Sequence, residues 1–168
     1  HNLRILEAKT VLDTAKAFFE SPPQSKSLAS LLVVGPPGSG KTHLCTQVEA
    51  MAKSCNQVQV FRPKLPVDFM GASVGDVEYL MGSLFEAVSA SGKCVLILDD
   101  LDLLLGTEDS PAASTELRLR VSFLSCLDHL SARCNALLIC TASTPMDDDL
   151  ARFHKTFLLQ APDREQRV

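Results

Sequence analysis

The chain has 168 residues, of which 46% are hydrophobic and 21% charged. That composition fits one ordinary folded domain and excludes a disordered tail. No apolar run approaches the ~18–20 residues a membrane-crossing helix needs. A formal net charge of −4 argues against a nucleic-acid partner, which calls for a basic face.

Residues 1–20 carry apolar positions at Ile5, Ala8, Leu12, Ala15 and Phe19, spaced as in an amphipathic helix. Pro22 and Pro23 end it. Leu31–Val34 is a short apolar run and predicts a strand buried on both faces, as in a parallel sheet. Val58–Phe61 predicts a second strand. Val74, Val77, Leu80, Met81, Leu84, Phe85 and Val88 then trace a helical stripe. Cys94–Leu98 predicts a third strand and 107–115 a polar loop. A helix over 116–131 follows, with Leu117, Val121, Leu124 and Leu127 on one face. Ala136–Cys140 and Phe157–Leu159 predict a fourth and a fifth strand. Strands alternating with helices imply an α/β fold with a five-stranded parallel sheet flanked by helices. The expected division is an N-terminal helix and linker over 1–30 and an α/β unit over 31–168.

Directly after the first strand stands Gly35-Pro36-Pro37-Gly38-Ser39-Gly40-Lys41-Thr42. This is G-x-x-x-x-G-K-[ST], the phosphate-binding P-loop pattern. The glycines let several backbone N–H groups point at one anion, and the next helix offers its positive end to the same phosphates; His43, next in the chain, is counted with the loop as a nucleotide-binding residue. Lys41 would reach the β- and γ-phosphates, and Thr42 would give a hydroxyl to Mg²⁺. The matching acidic residue should end another buried strand, where Asp99 and Asp100 follow Leu98. Asp99 is the expected second Mg²⁺ residue, since carboxylates beside a buried strand need compensation. ATP with Mg²⁺ is the expected cofactor.

Six cysteines (Cys45, Cys55, Cys94, Cys126, Cys134, Cys140) lie far apart without a C-x-x-C pair. They read as free, mostly buried thiols of a reducing compartment, and no secretory pattern opens the chain. The four histidines show no ligand spacing, so no metal beyond Mg²⁺ is expected.

These motifs resemble an AAA+ ATPase module over nearly the whole chain. Gly35–Thr42 resembles Walker A and Leu96–Asp100 resembles Walker B. Phe69-Met70-Gly71 is similar to the pore loop with which hexameric AAA unfoldases grip a polypeptide. Ser143, in Thr141-Ala142-Ser143, falls at the family's sensor-one position. The resemblance implies a sheet ordered 5-1-4-3-2 and a nucleotide at a subunit boundary. It also implies that Val168 lies where the helical lid begins, so that with His1 in place of an initiator Met the chain reads as a large subdomain cut from something longer.

Three departures from the family bear on activity. Its members usually place Glu after the Walker B Asp to polarise the attacking water; Asp100 is one methylene shorter, ~1.5 Å of reach, and a misplacement of about 1 Å can cost around a hundredfold. Sensor one is usually Asn, and Ser143 is shorter. The Arg-rich segment that serves the neighbouring subunit is matched only by Ala151-Arg152-Phe153, which makes Arg152 the candidate trans-acting residue. Phosphate-holding residues are kept and water-activating ones altered, which implies an ATP-binding assembly module with weak hydrolysis; the alternative is an actively hydrolysing unfoldase or fusion ATPase.

Two subfamilies share the Asp-Asp pair. The first ATPase module of peroxin one, a peroxisomal biogenesis protein, is similar at Leu98–Leu103, at Ser110-Pro111 and at the ending Gln160 to Arg167. The second ATPase module of the N-ethylmaleimide-sensitive fusion factor shares Asp-Asp and the serine of sensor one. The resemblance to the family implies a homo- or hetero-hexamer of AAA subunits that acts on polypeptide from the cytoplasm; the former subfamily implies peroxin six as the partner, at the peroxisomal membrane and touching membrane only through partners.

Overall fold

The computed structural model describes residues 2–22, 27–64, 73–106, 114–146, 153 and 155–159. In chain order the elements are α1 (Asn2–Glu20), β1 (Leu28–Val34), α2 (Lys41–Lys53), β2 (Gln59–Phe61) and α3 (Val74–Ala90). They continue as β3 (Cys94–Leu98), α4 (Leu101–Leu105), α5 (Ser114–Arg133), β4 (Ala136–Ala142) and β5 (Lys155–Leu158). The five strands form one sheet in the order β2-β3-β4-β1-β5, with all pairs parallel. This is the expected 5-1-4-3-2 arrangement.

The sheet is covered on both faces, which explains the unbroken apolar runs of β1, β3 and β4. Successive side chains of a strand point to opposite faces. Leu31, Val33, Val95, Ile97, Leu137 and Ile139 join α1 and α2 in one cluster. Leu32, Val34, Leu96, Leu98, Leu138 and Cys140 join α3, α4 and α5 in the other. The ends of β1, β3 and β4 thus stand side by side at one edge. Ligands of such sheets bind outside these carboxyl ends, where the strand order reverses.

α1 is built into the cluster it shares with α2: Val11, Ala15, Phe18 and Phe19 are buried there. Lys93, at the entry to β3, fastens its end by donating to the carbonyl oxygens of Phe19 and Ser21 and lying 5.3 Å from the Phe18 ring centroid. β1 begins at Leu28, inside the stretch read as linker.

α3 starts at a capping box: Ser73 Oγ accepts from the Asp76 N–H at 3.2 Å and Asp76 Oδ2 from the Ser73 N–H at 3.4 Å. Its buried stripe is Val77, Met81, Phe85 and Val88, as the periodicity predicts, apart from Leu80, which is exposed. α5 corrects half of the expectation: Leu127 is buried and Leu124 packs half-buried against the core, as predicted. Leu117 and Val121 are exposed, and the buried positions are Leu119, Phe123, Leu127 and Leu130. Phe123 decides the rotation by packing edge-to-face on Phe85 with centroids 5.9 Å apart. α5 also starts at Ser114, inside the expected polar loop. The cysteines are free; Cys45, Cys94, Cys134 and Cys140 are buried and Cys55 and Cys126 half-buried. Among the described residues no helix is long and apolar enough to cross a membrane.

Candidate nucleotide site

The end of β1 turns into the P-loop through positions that only glycine fills comfortably. A Cβ on Gly35 would stand 2.5 Å from the Leu159 carbonyl oxygen and 2.6 Å from Ser39 Oγ. Gly38 (φ 82°) and Gly40 (φ 96°) adopt the left-handed backbone that other residues rarely take. Gly40 caps α2 without a side-chain hydrogen bond. The first-turn N–H groups of α2, at the positive end of its dipole, therefore receive no cap from that residue's side chain. Lys41 is buried, and its ammonium donates to the carbonyl oxygens of Gly35 and, at 3.1 Å, of Pro36. A phosphate would compete with those two carbonyls for the same charge.

Parallel register brings the acidic half of the site to this loop. β3 and β4 pair with Leu98 beside Cys140, so Asp99 comes next to Thr141. The Thr141 hydroxyl, fully buried, donates to Asp99 Oδ1 and accepts from the Asp100 N–H at 2.8 Å. The Thr42 hydroxyl donates to Asp99 Oδ2 at 2.9 Å. Thr42 and Asp99, read separately from the sequence, thus meet across 57 positions of chain. Both offer hard oxygen donors, the ligand type that suits Mg²⁺.

Asp100 has φ 57° and ψ 45°, and is the one non-glycine residue with positive φ among the described residues. Asp tolerates this conformation better than most side chains. It stands at the N-cap of α4, a short helix that the sequence pattern does not announce. Burial, together with the neighbouring charges of Asp99 and Asp102, raises the Asp100 carboxyl above its usual range, while Lys41 pulls the other way. The Ser143 N–H donates to Asp102 Oδ2 at 3.1 Å. This bond ties the segment after β4 to α4.

A cleft of about 450 Å³ gathers these groups, lined by Pro37, Gly38, Gly40, Lys41, Thr42, His43, Asp100 and Ser143. The predicted set is therefore largely brought together. Gly35 and Pro36 stand behind the lining as acceptors for Lys41, and Ser39 is buried in the loop. The expected pore loop Phe69–Gly71, Arg152, Ser110-Pro111 and the ending 160–167 lie outside the described residues. Sequence reasoning missed Thr141, Asp102 and Arg62. Thr141 is a polar residue inside an otherwise apolar strand, and that was the available signal. Arg62 carries no motif; its Nη2 lies 3.9 Å from Asp99 Oδ2.

The sequence pattern of the ATPase family associated with various cellular activities (AAA) matches residues 31–160. An uncharacterised AAA domain-containing protein of Schizosaccharomyces pombe is 32% identical over 82% of this chain and 18% of its own length. Fidgetin-like protein 1 of Drosophila melanogaster is 30% identical over 82% of this chain and 26% of its own. Vacuolar protein sorting-associated protein 4 of Dictyostelium discoideum is 27% identical over 98% of this chain and 38% of its own. The chain thus spans well under half the length of these relatives. A chain in the structure of the E. coli MS115-1 HORMA:CdnC:Trip13 complex is similar in fold, with a TM-score of 0.72 at 16% identity, over 95% of this chain and 63% of that one. With the P-loop, the paired Asp99 and the sheet order in place, the chain belongs to the AAA family of ATPases.

Proposed function

We propose that this chain is the ATP-binding module of a ring-forming, protein-remodelling AAA ATPase, with weak or no hydrolysis of its own. The observation that carries this reading is the 2.9 Å meeting of Thr42 and Asp99 beside the cleft that Lys41 lines. In it the N–H groups of the loop and of the first turn of α2 would hold the phosphates, and Lys41, which donates to the Gly35 and Pro36 carbonyls, would turn its charge to them. Mg²⁺ would be held by Thr42 and Asp99, and when bound it supplies neutralising charge to the β- and γ-phosphate oxygens.

The weak-hydrolysis part rests on Asp100 and Ser143, which line the cleft where the family usually carries Glu and Asn. The shorter carboxylate of Asp100, at the left-handed N-cap position of α4, would hold a water less close to a γ-phosphate. The active-motor reading is favoured by one feature: Asp100 does face the cleft, and its raised proton affinity suits a general base. Arg152 is the candidate contributor to a neighbour's site and Phe69 the candidate grip on polypeptide. The finer, peroxin-one-like reading rests on Leu98–Leu103 and the 160–167 ending, and it implies a hexamer containing peroxin six at the peroxisomal membrane. Identifying the subunit that co-purifies with the full-length protein tests it.

Equilibrium binding of a fluorescent ATP analogue tests the core of the proposal. Wild type should bind and Lys41→Ala should lose most of the affinity. Equal affinity in the two would remove the P-loop from the account.

A further inference from the structure

A second cleft, of about 350 Å³, opens beside Asp99 and Asp100 and is lined further by Glu49, Arg62, Pro63 and Lys64. Nothing in the P-loop pattern calls for these residues. Arg62 is the first residue after β2, and Pro63 restricts it to extended backbone. Its side chain is half-buried. Nη1 donates to Glu49 Oε2 at 2.8 Å and to Thr46 Oγ1 at 3.2 Å. Nη2 faces Asp99 Oδ2 at 3.9 Å, and this is the same oxygen that accepts from Thr42. The hydrogen bond from Arg62, and then that from Lys53, hold the Glu49 carboxyl below the usual carboxylate range.

The division of labour around Asp99 follows from these distances. Thr141 and Thr42 orient the carboxylate by direct hydrogen bonds. Arg62, too far for one, acts through charge. It also sits among Glu49, Asp99 and Asp100, which would otherwise repel an incoming polyphosphate. We infer that Arg62 is a positioning residue of the nucleotide site, a resident counter-ion of Asp99 that supports nucleotide binding without metal and lowers the site's affinity for Mg²⁺. This inference rests on the nucleotide-binding reading above.

The test uses the full chain and a fluorescent ATP analogue, titrated first in EDTA and then against Mg²⁺. Arg62→Gln should weaken metal-free binding about tenfold and lower the half-saturating Mg²⁺ about tenfold, the scale of one unit charge a few ångströms from a doubly charged group (the phosphates in the first case, the dication in the second) in a water-like dielectric. Arg62→Lys, which keeps the charge, should stay near wild type. Glu49→Gln should move the Mg²⁺ requirement the opposite way, because it frees Arg62 for Asp99 and removes a cation-attracting charge. The differences should shrink in 1 M salt. Equal losses with and without Mg²⁺ in Arg62→Gln would mark a merely structural role and overturn the inference. If Arg62→Gln does not fold, an unchanged Mg²⁺ requirement in Glu49→Gln overturns it. Wild type that binds no nucleotide overturns the nucleotide reading itself; wild type that binds, with variants that do not shift, overturns only this inference.

Discussion

Thr141→Val is the most informative single change. Valine keeps the shape of the fully buried side chain in β4 and removes its hydroxyl. Two bonds go with it: the one given to Asp99 Oδ1 and the one taken from the Asp100 N–H. A hydrogen bond to a charged group is worth ~1.5–3 kcal/mol, and a stranded buried donor costs ~1–3 kcal/mol. Both partners are only partly buried, so water recovers some of each, and the net loss should be about 2 kcal/mol. At ~2–4 °C per kcal/mol for a domain of this size, the melting temperature should fall by about 4–8 °C. Asp99 also loses one of its two orienting hydroxyls, and such losses commonly cost 10–100-fold in metal affinity. Thermal melts and Mg²⁺-dependent binding of an ATP analogue measure the two effects, and Thr141→Ser should restore both in large part. A Thr141→Val protein that melts and binds like wild type would refute the idea that Thr141 holds the acidic half of the site.

Three further outcomes follow from particular contacts. Gly35→Ala drives a Cβ to 2.5 Å from the Leu159 carbonyl oxygen; it should cost ~1–3 kcal/mol in a denaturant titration and loosen β5, whose exit is held by the Leu159 N–H on Val34 at 2.7 Å. Asp100 takes up protons more readily folded than unfolded, chiefly through burial. Its ionisation therefore costs stability as pH rises from the ordinary 3.8 through the raised folded value. Asp100→Asn, which tolerates the left-handed backbone, should melt higher than wild type at pH 7, and the gap should close as the pH falls to about 4. Lys93→Met strands the carbonyls of Phe19 and Ser21, costs about 1–3 kcal/mol, and should speed amide exchange at the end of α1.

The fold was legible because its signals are strong and local. Leu31–Val34, Cys94–Leu98 and Ala136–Cys140 are unbroken apolar runs, and such runs have one economical home between two layers of helix. The P-loop was legible because its chemistry dictates residue types at fixed spacing. What the sequence hid depends on register and packing. Nothing local says that Asp99 will stand beside Thr141; that follows from Leu98 pairing with Cys140. Leu117 and Val121 have the spacing of a core face with Leu124 and Leu127, yet only the latter two meet the core, where Phe123 packs on Phe85. Arg62 reaches Asp99 only because β2 lies at the edge next to β3. The left-handed Asp100 follows from the turn that begins α4, which no pattern announces.

The central claim, nucleotide held but poorly cleaved, is tested most directly by the fate of bound ATP in the assembled full-length protein. Radiolabelled ATP is bound, free nucleotide is removed, and the bound nucleotide is analysed over time in wild type and in Asp100→Glu. The account predicts that wild type retains ATP uncleaved and that Asp100→Glu, with the longer reach, converts more of it to ADP. Steady cleavage by wild type that Asp100→Ala abolishes while ATP binding stays intact would contradict it.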